Sequence, residues 1–368
     1  MSVNLATKYA SKIDEAIING AQSAPSTNND YSFVDAQVVK VYSFDPVAMN
    51  NYTRSGSNRY GTPNELPDTT QTLTMTKDRS FTFTIDKGNK IDTPAGVREA
   101  AKAIRRQIDL VIQPEIDKYR FAKIADNAGH VSFATTAITA STAYAAFLNA
   151  NQAIDDSDVP SSGRICNASP KFINLLKQDD AFIKAGDLSQ DMLVKGQVGE
   201  VDGVAIVKTS RLPAGCMFEI THPLACVAPV KLEEYRIHQD PPGISGQLAE
   251  GRIYYDAFIL NKKKDMISVV YGDMGTSLTL TAAAGADSTH SVVTVSGNTY
   301  GGSLKYKGDF ASSAAATGAI DFGDDASAWT AFPADGKVTT ASGKYIAVAV
   351  VVDGKVVNGG TVAAVVGS

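Results

Sequence analysis

The sequence predicts an α+β fold, and three patterns in it carry that prediction. A Thr-rich segment alternates in polarity with the period of a strand, a long helical stripe follows it, and the composition from Gly275 onward turns to that of a small all-β unit. In the first pattern, running from Thr72 to Asp86, Leu73, Met75, Phe81, Phe83 and Ile85 share one parity. Thr, Ser and Asp take most of the other, so one face of an extended strand is apolar. A hairpin with so little of its own to pack on is marginal in water and needs a further apolar surface.

Taken in order, Leu5 to Gly20 reads as a short amphipathic helix with Ile13, Ile17 and Ile18 on one side and Gly20 at its C-terminal cap. A turn-rich segment, Ser23 to Asp30, leads to a strand at Val38–Tyr42. Between Asp45 and Asp68 the chain is rich in Asn, Gly, Pro, Ser and Arg, the composition of a long loop. Thr93-Pro94 opens the long helix as N-cap and first helical residue. Val97, Ala101, Ile104, Ile108 and Val111 give its stripe, continued by Tyr119 and Ala122 beyond a kink or break at Pro114. Unbroken, Pro94 to Asp126 would span about 50 Å.

A second helix is expected from Thr142 to Asp156 and a strand at Arg164–Ala168. Ser169-Pro170 repeats the cap-plus-proline signal before Phe172, Ile173, Leu175 and Leu176. Asp202-Gly203 between two apolar runs marks a tight hairpin. Strands follow at Met217–Thr221, Ala225–Val230, Arg252–Leu260 and Met266–Tyr271, with Lys262-Lys263-Lys264 as a solvated turn. Beyond Gly275, strand candidates at Ser277–Leu280, Ser291–Val295, Ser303–Tyr306 and Lys344–Val350 predict an antiparallel sandwich of immunoglobulin-like cadence, with Trp329 as its core anchor.

Composition narrows the function. The 368 residues allow two domains, and 44% hydrophobic residues allow a substantial core. A net charge of −5 argues against a dedicated nucleic-acid binder. No run approaches the roughly 18 apolar residues of a membrane helix. Lys8, Lys12, Asp14 and Glu15 break the start as a signal peptide. Cys166, Cys216 and Cys226 are too scattered for a disulfide framework and read as reduced, buried thiols.

Catalytic inventory is sparse. His130, His222, His238 and His290 form no metal-ligand spacing, and His222 with Cys216 and Cys226 lacks further ligands. The adjacent carboxylates (Asp155-Asp156, Asp179-Asp180, Glu233-Glu234, Asp324-Asp325) point apart in regular structure and read as solvated turns. No nucleophile elbow, phosphate loop or dinucleotide fingerprint is present, so neither an enzyme nor a cofactor is expected. One charge pattern stands out. Arg98, Lys102 and Arg105 lie on one edge of an ideal helix, and Arg120 and Lys123 return to it past Pro114. The row is either a solvated flank or a face for a polyanion or a neighbouring subunit.

The order of these elements resembles the major capsid proteins of tailed bacteriophages, the Hong-Kong-ninety-seven type coat fold. In that resemblance residues 1–30 are similar to the N-terminal arm, 31–92 to the extended loop, and 93–274 to the spine helix with the peripheral and axial domains. Arg164 to Leu176 looks like the family's strand–Ser-Pro–helix stretch, and Val198 to Pro213 like its axial hairpin. Residues 275–368 match the immunoglobulin-like domain that such phages often append.

The resemblance implies a virion protein, assembled in the host cytoplasm into an icosahedral shell of hexamers and pentamers. It implies a separate scaffolding protein and a portal as partners, non-specific contact with packaged double-stranded DNA, no membrane, and a C-terminal domain decorating the surface, with host carbohydrate as a candidate ligand. Leu73, Met75, Phe81, Phe83 and Ile85 are then expected to be buried on a neighbour's spine helix in a head-to-tail contact. An adhesive protein built on the C-terminal module and a cellular nanocompartment shell are the alternatives.

Overall fold

The structure, a computed structural model, describes residues 21–28, 30–31, 33, 37–88, 100–134, 138–184, 199–272, 277–297, 299 and 301–367. The Leu5–Gly20 stripe, the Thr93–Pro94 cap, Val97, Arg98 and Gly275 lie outside these residues.

The extended segment is two structures rather than one. β1 (Val38–Phe44) pairs antiparallel with β2 (Asp68–Thr74), closing a hairpin around the long loop. The chain then turns at Met75-Thr76, and β3 (Lys77–Asp86) leaves the hairpin. A buried carboxylate makes the turn: Asp256 accepts from the Thr76 amide at 2.7 Å, the Thr76 hydroxyl at 3.0 Å and the Tyr119 hydroxyl at 2.6 Å. The single Thr72–Asp86 arm expected from parity is therefore corrected. Parity survives a turn that keeps the alternation in phase, so the pattern by itself did not reveal the break.

The helical stripe forms one rod in three pieces: α1 (Ala100–Gln107), a π-helical turn (Ile108–Ile112) and α2 (Gln113–Asp126). Ala100, Ile104, Ile108, Ile112 and Ile116 recur every four residues, slightly more than one α-helical turn, so a pure α-helix would carry this row off its packed side. The wider π turn absorbs the excess and leaves Ala100, Ile104, Ile112 and Ile116 buried. The expected stripe is corrected accordingly. Ala101 is exposed beside the buried Ala100 and Ile104 row, and Val111, within the π turn, is 46% exposed. Nor does Pro114 break the rod. The Gln113 amide makes the wide bond to the Ile108 carbonyl, and the missing N–H of Pro114 falls at the junction where α bonding resumes.

β4 (His130–Phe133), β5 (Ile165–Ala168), β6 (Glu200–Val201), β7 (Val204–Lys208), β8 (Cys216–Thr221) and β13 (Ile267–Tyr271) build a six-stranded mixed sheet in the order β4-β13-β8-β5-β7-β6. Asp202 and Gly203, both at positive φ, close the β6–β7 hairpin as expected. α3 (Ala143–Asp155) and α4 (Pro170–Gln178), with the short α5 (Asp180–Lys184), cover one face, placing Phe147, Ile154, Phe172 and Leu176 in one cluster with Phe218 of β8. Ser169 caps α4 by accepting from the Phe172 amide at 3.2 Å. α2 covers the other face, placing Phe121 and Ile124 against Ile267, Val269 and Tyr271.

A second, three-stranded sheet is formed by β10 (Val230–Gln239), β11 (Gly246–Tyr255) and β3 in that order, with β11 in the centre. Its Ile253 and Tyr255 pack on Ile112 and Ile116 of the rod. Gly251 is required here, since a Cβ would sit 2.3 Å from the Phe81 ring and 2.8 Å from Tyr235. The short strands β9 (Cys226–Val227) and β12 (Phe258–Ile259) pair with each other, and the Lys262–Lys264 turn is a 3-10 helix, Asn261–Met266.

The C-terminal strands are β14 (Thr279–Ala284), β15 (His290–Ser296), β16 (Ser303–Phe310), β17 (Thr330–Ala331), β18 (Lys337–Thr339), β19 (Tyr345–Val352) and β20 (Lys355–Ala363). They make two antiparallel sheets, β14-β15-β18 and β17-β16-β19-β20, which enclose Val293, Val338, Ile346 and Val348. The second sheet is covered on its other face too, by α6 (Ser313–Thr317), Ile320 and Ala326. That double cover explains why β19 reads as an unbroken apolar run. Trp329 belongs to this outer layer, half-buried, rather than to the core between the sheets.

The π turn makes a paired prediction. Ile116→Ala should lower unfolding free energy in urea by about 2–5 kcal/mol, as for a large buried aliphatic. Val111→Ala should stay within about 0.5 kcal/mol. Equal losses would contradict the rotated face.

Candidate functional site

Candidate chemistry is used up locally. Among the described residues no group of His, Cys, Asp or Glu could hold a metal ion. His222 accepts from the Leu224 amide at 3.2 Å and caps a short turn, while His130, His238 and His290 face Ser157, Glu250 and Asp287. The three cysteines are free and buried. Burial pushes their thiols up, that of Cys226 to about 12, which leaves them protonated and unreactive.

Among the described residues, the surface feature most unlike an ordinary solvated face is the β1–β2 hairpin with its loop. Its inner face is anchored at home. Leu73 and Met75 are buried with Phe33, Val227 and Leu260, and half-buried Val39 and Val41 pack beside them. The Gln71 amide donates to the Ile259 carbonyl at 2.8 Å and accepts from the Asn261 amide at 2.8 Å, and Lys262 pairs with Asp45. The outer face is bare. Tyr42 and Phe44 are 66% and 68% exposed beside Thr70 and Asp68, their cross-strand partners. Onward through the loop, Val47, Met49 (99% exposed), Tyr52, Tyr60 (84%) and Leu66 also face solvent. Large apolar side chains exposed together along one hairpin and its loop point to an interaction site.

Within the subunit the expected contact set is already engaged. Leu73 and Met75 find their apolar partners in their own chain, as does Phe81, half-buried with Ile112, Ile116 and Tyr235. Ile85 is buried, and Phe83 is half-buried with its ring stacked on Phe81 at 6.1 Å between centroids. β2 backs onto Ile259, 188 positions away, and β3 onto β11, with Arg252 174 positions from its partner Asp78, rather than onto open solvent, a fact no local pattern carries. The exposed residues in the loop escaped the sequence reading because they have no period. Their only signal is the presence of aromatic residues inside a Gly, Pro and Asn-rich stretch.

Among the described residues the basic row does not form one exposed edge. Arg98 lies outside the described residues. Lys102 and Arg105 are exposed on α1. Arg120 instead turns inward, donating to the Ser23 hydroxyl at 3.2 Å and the Ala228 carbonyl at 3.4 Å, and Lys123 lies 5.6 Å from the Tyr119 ring centroid. Arg120 is thus withdrawn from any polyanion, because the helix packs on that edge.

Two buried acids hold the N-terminal segment in place. Asp117 accepts from the amides of Gln22 (2.8 Å) and Ser23 (3.1 Å) and from the Ser23 hydroxyl (2.5 Å), and pairs with Arg211. Glu219 has no such cation among the described residues. One of its oxygens accepts from the Asn167 amide at 3.1 Å, and that amide also reaches Ser26 at 2.9 Å. Among the described residues the other oxygen has no hydrogen-bond partner. Burial raises this carboxyl well above the usual range, against the Asn167 hydrogen bond, so it stays protonated near neutrality.

No family model and no curated protein matches the sequence. Solved structures do. The chain is similar to one from Mycobacterium phage Che8, with a TM-score of 0.63 and 15% identity over 73% of this chain and 98% of that one. It is similar to a chain of the capsid structure of cyanophage P-SCSP1u (TM-score 0.59, 14% identity, 73% and 93% covered). It is also similar to one in the mature capsid of bacteriophage PhiM1 (TM-score 0.57, 12% identity, 73% and 92% covered). The chain has the fold of phage capsid proteins, α+β with more strand than helix.

Glu219 sets a pH dependence with a definite sign. Unfolded, its carboxyl ionises near about 4.3. Folded, it keeps its proton, so its contribution to stability falls as pH rises above that value toward the raised one. Glu219→Gln should remove this slope of up to about 1.4 kcal/mol per pH unit. The melting temperature of the variant relative to the parent should climb steadily from pH 5 to pH 8, and a constant difference would contradict the buried neutral acid.

Proposed function

We propose that this protein is the major capsid subunit of a tailed bacteriophage and that it self-assembles into an icosahedral shell around viral DNA. The observation that carries this reading is the hairpin, fixed to the body at its base and bare along its outer face and tip. Such a surface is costly in a permanent monomer and stable once a neighbour covers it. Association of identical copies through one arm is head-to-tail, and such contacts close into rings. The phage capsid fold, spanning nearly the whole of the solved chains, supports the same reading.

In this reading residues 1–30 are the arm, 31–92 the extended loop, 93–274 the spine helix with the peripheral and axial domains, and 275–368 an appended domain. The rod from Ala100 to Asp126 is the spine, and the subunit contact is made by Tyr42, Phe44, Met49, Tyr52 and Tyr60 rather than by the strip from Leu73 to Ile85. Hexamers and pentamers of the chain, a separate scaffolding protein, a portal and packaged double-stranded DNA are the partners, and the virion is the location. The order of the C-terminal strands supports an immunoglobulin-like assignment: first, second and fifth in one sheet, and fourth, third, sixth and seventh in the other. Carbohydrate binding by that domain has less support. Its described aromatic residues are all half-buried, so they offer no open ring for a sugar to stack on.

Negative-stain microscopy of the purified protein tests the reading. Closed shells are expected, and particles of subunit size only, under every assembly condition, would overturn it. The double variant Tyr42→Asp, Phe44→Asp should abolish shells while leaving the subunit's melting temperature within about 2 °C, because both side chains are exposed in the subunit. Met75→Ala should do the reverse, lowering subunit stability by about 2–5 kcal/mol. Normal shells from the double variant would refute the hairpin contact.

A further inference from the structure

An appended surface domain is expected to hang from a linker with few contacts to the body. The C-terminal strands are joined to it differently. One apolar cluster runs without interruption from Ile124 and Ala125 of α2 and Tyr271 of β13 to Leu278, Val350, Val352 and Val357, all of them buried. Gly301 is buried against Pro213, where a Cβ would lie 2.6 Å from the proline Cβ, and its φ of 80° independently favours glycine. At the rim of this contact the Gly302 amide donates to the Asp126 carboxylate at 2.7 Å, just at the C-terminal end of α2. Lys355 lies 5.6 Å from the ring centroid of Phe133 in edge strand β4. Four separate parts of the body are thus engaged: the end of the rod, the segment before β8, β4 and β13.

We propose that the C-terminal sheets act as a clamp in cis, pinning the end of the long helix to the six-stranded sheet. Their service to the body is mechanical reinforcement within each subunit, whatever else their outer surface meets. The chemistry of the contact fits a permanent partner. Among the described residues it is apolar at its centre with a hydrogen bond and a cation–ring contact at its edge, which resembles a divided core more than a transient domain contact. The inference does not depend on shell formation, since it concerns a single subunit.

The test is hydrogen exchange on the full-length protein. Gly301→Val forces a branched side chain against Pro213 without touching the apolar core between the C-terminal sheets. Amides in Ile116–Asp126 and β13 should then exchange at least tenfold faster, while β19 keeps its protection. Asp126→Ala, a milder change at the rim, should move the same body amides in the same direction by a smaller factor. It carries the test alone if Gly301→Val does not fold. Faster exchange confined to the neighbourhood of the substituted residue in the variants that fold, with Ile116–Asp126 and β13 unaltered, would overturn the proposal.

Discussion

Every layer of this molecule is fastened to one rod, and the rod works because its isoleucines recur every four residues across a π turn. The middle of the rod offers Ile112 and Ile116 to the three-stranded sheet. Tyr119 holds Asp256 and, through it, the turn that separates β2 from β3. Asp117 holds the N-terminal segment, and Phe121 and Ile124 close the six-stranded sheet. The π turn sets how Ala100 and Ile104 of α1 are turned relative to Ile112, Ile116 and the groups beyond, so that all four stay buried on one packed side.

That arrangement sorts apolar surface into two kinds. Side chains that meet the rod or the sheets lose their contact with water inside the subunit, and the hydrophobic effect is satisfied there. Side chains on the outer face of the β1–β2 hairpin are held away from the body by the same anchoring that buries the inner face, through Gln71, Lys262 and the Leu73–Met75 cluster. Rigid presentation of an apolar surface lowers the ordering cost of whatever covers it. A floppy loop of the same composition would lose much of that advantage.

The buried polar groups follow a complementary logic. The acceptor capacity of Asp117 is used by two amides, a hydroxyl and a guanidinium, an arrangement that makes a buried carboxyl group tolerable. Glu219, with a single amide, is instead accommodated by keeping its proton. Both sit beneath residues 22–28, so the segment that leads into the fold is fixed by polar specificity where apolar contact alone would allow it to slide.

Much of the architecture was legible in the chain itself. Ser169-Pro170 named the start of a helix and Asp202-Gly203 a tight turn, because caps and positive-φ turns are local physics. The α+β class, the change of character in the C-terminal region and the buried thiols could likewise be read from composition and period. Other features depended on partners distant in sequence. The turn at Thr76 needs Asp256, the inward swing of Arg120 needs Ser23 and Ala228, and the burial of Leu73 and Met75 needs Val227 and Leu260. Alternation states that a strand has an apolar face, but only the assembled chain decides what that face meets. Hydrophobic burial is non-directional, and any surface brought within reach by the fold can satisfy it.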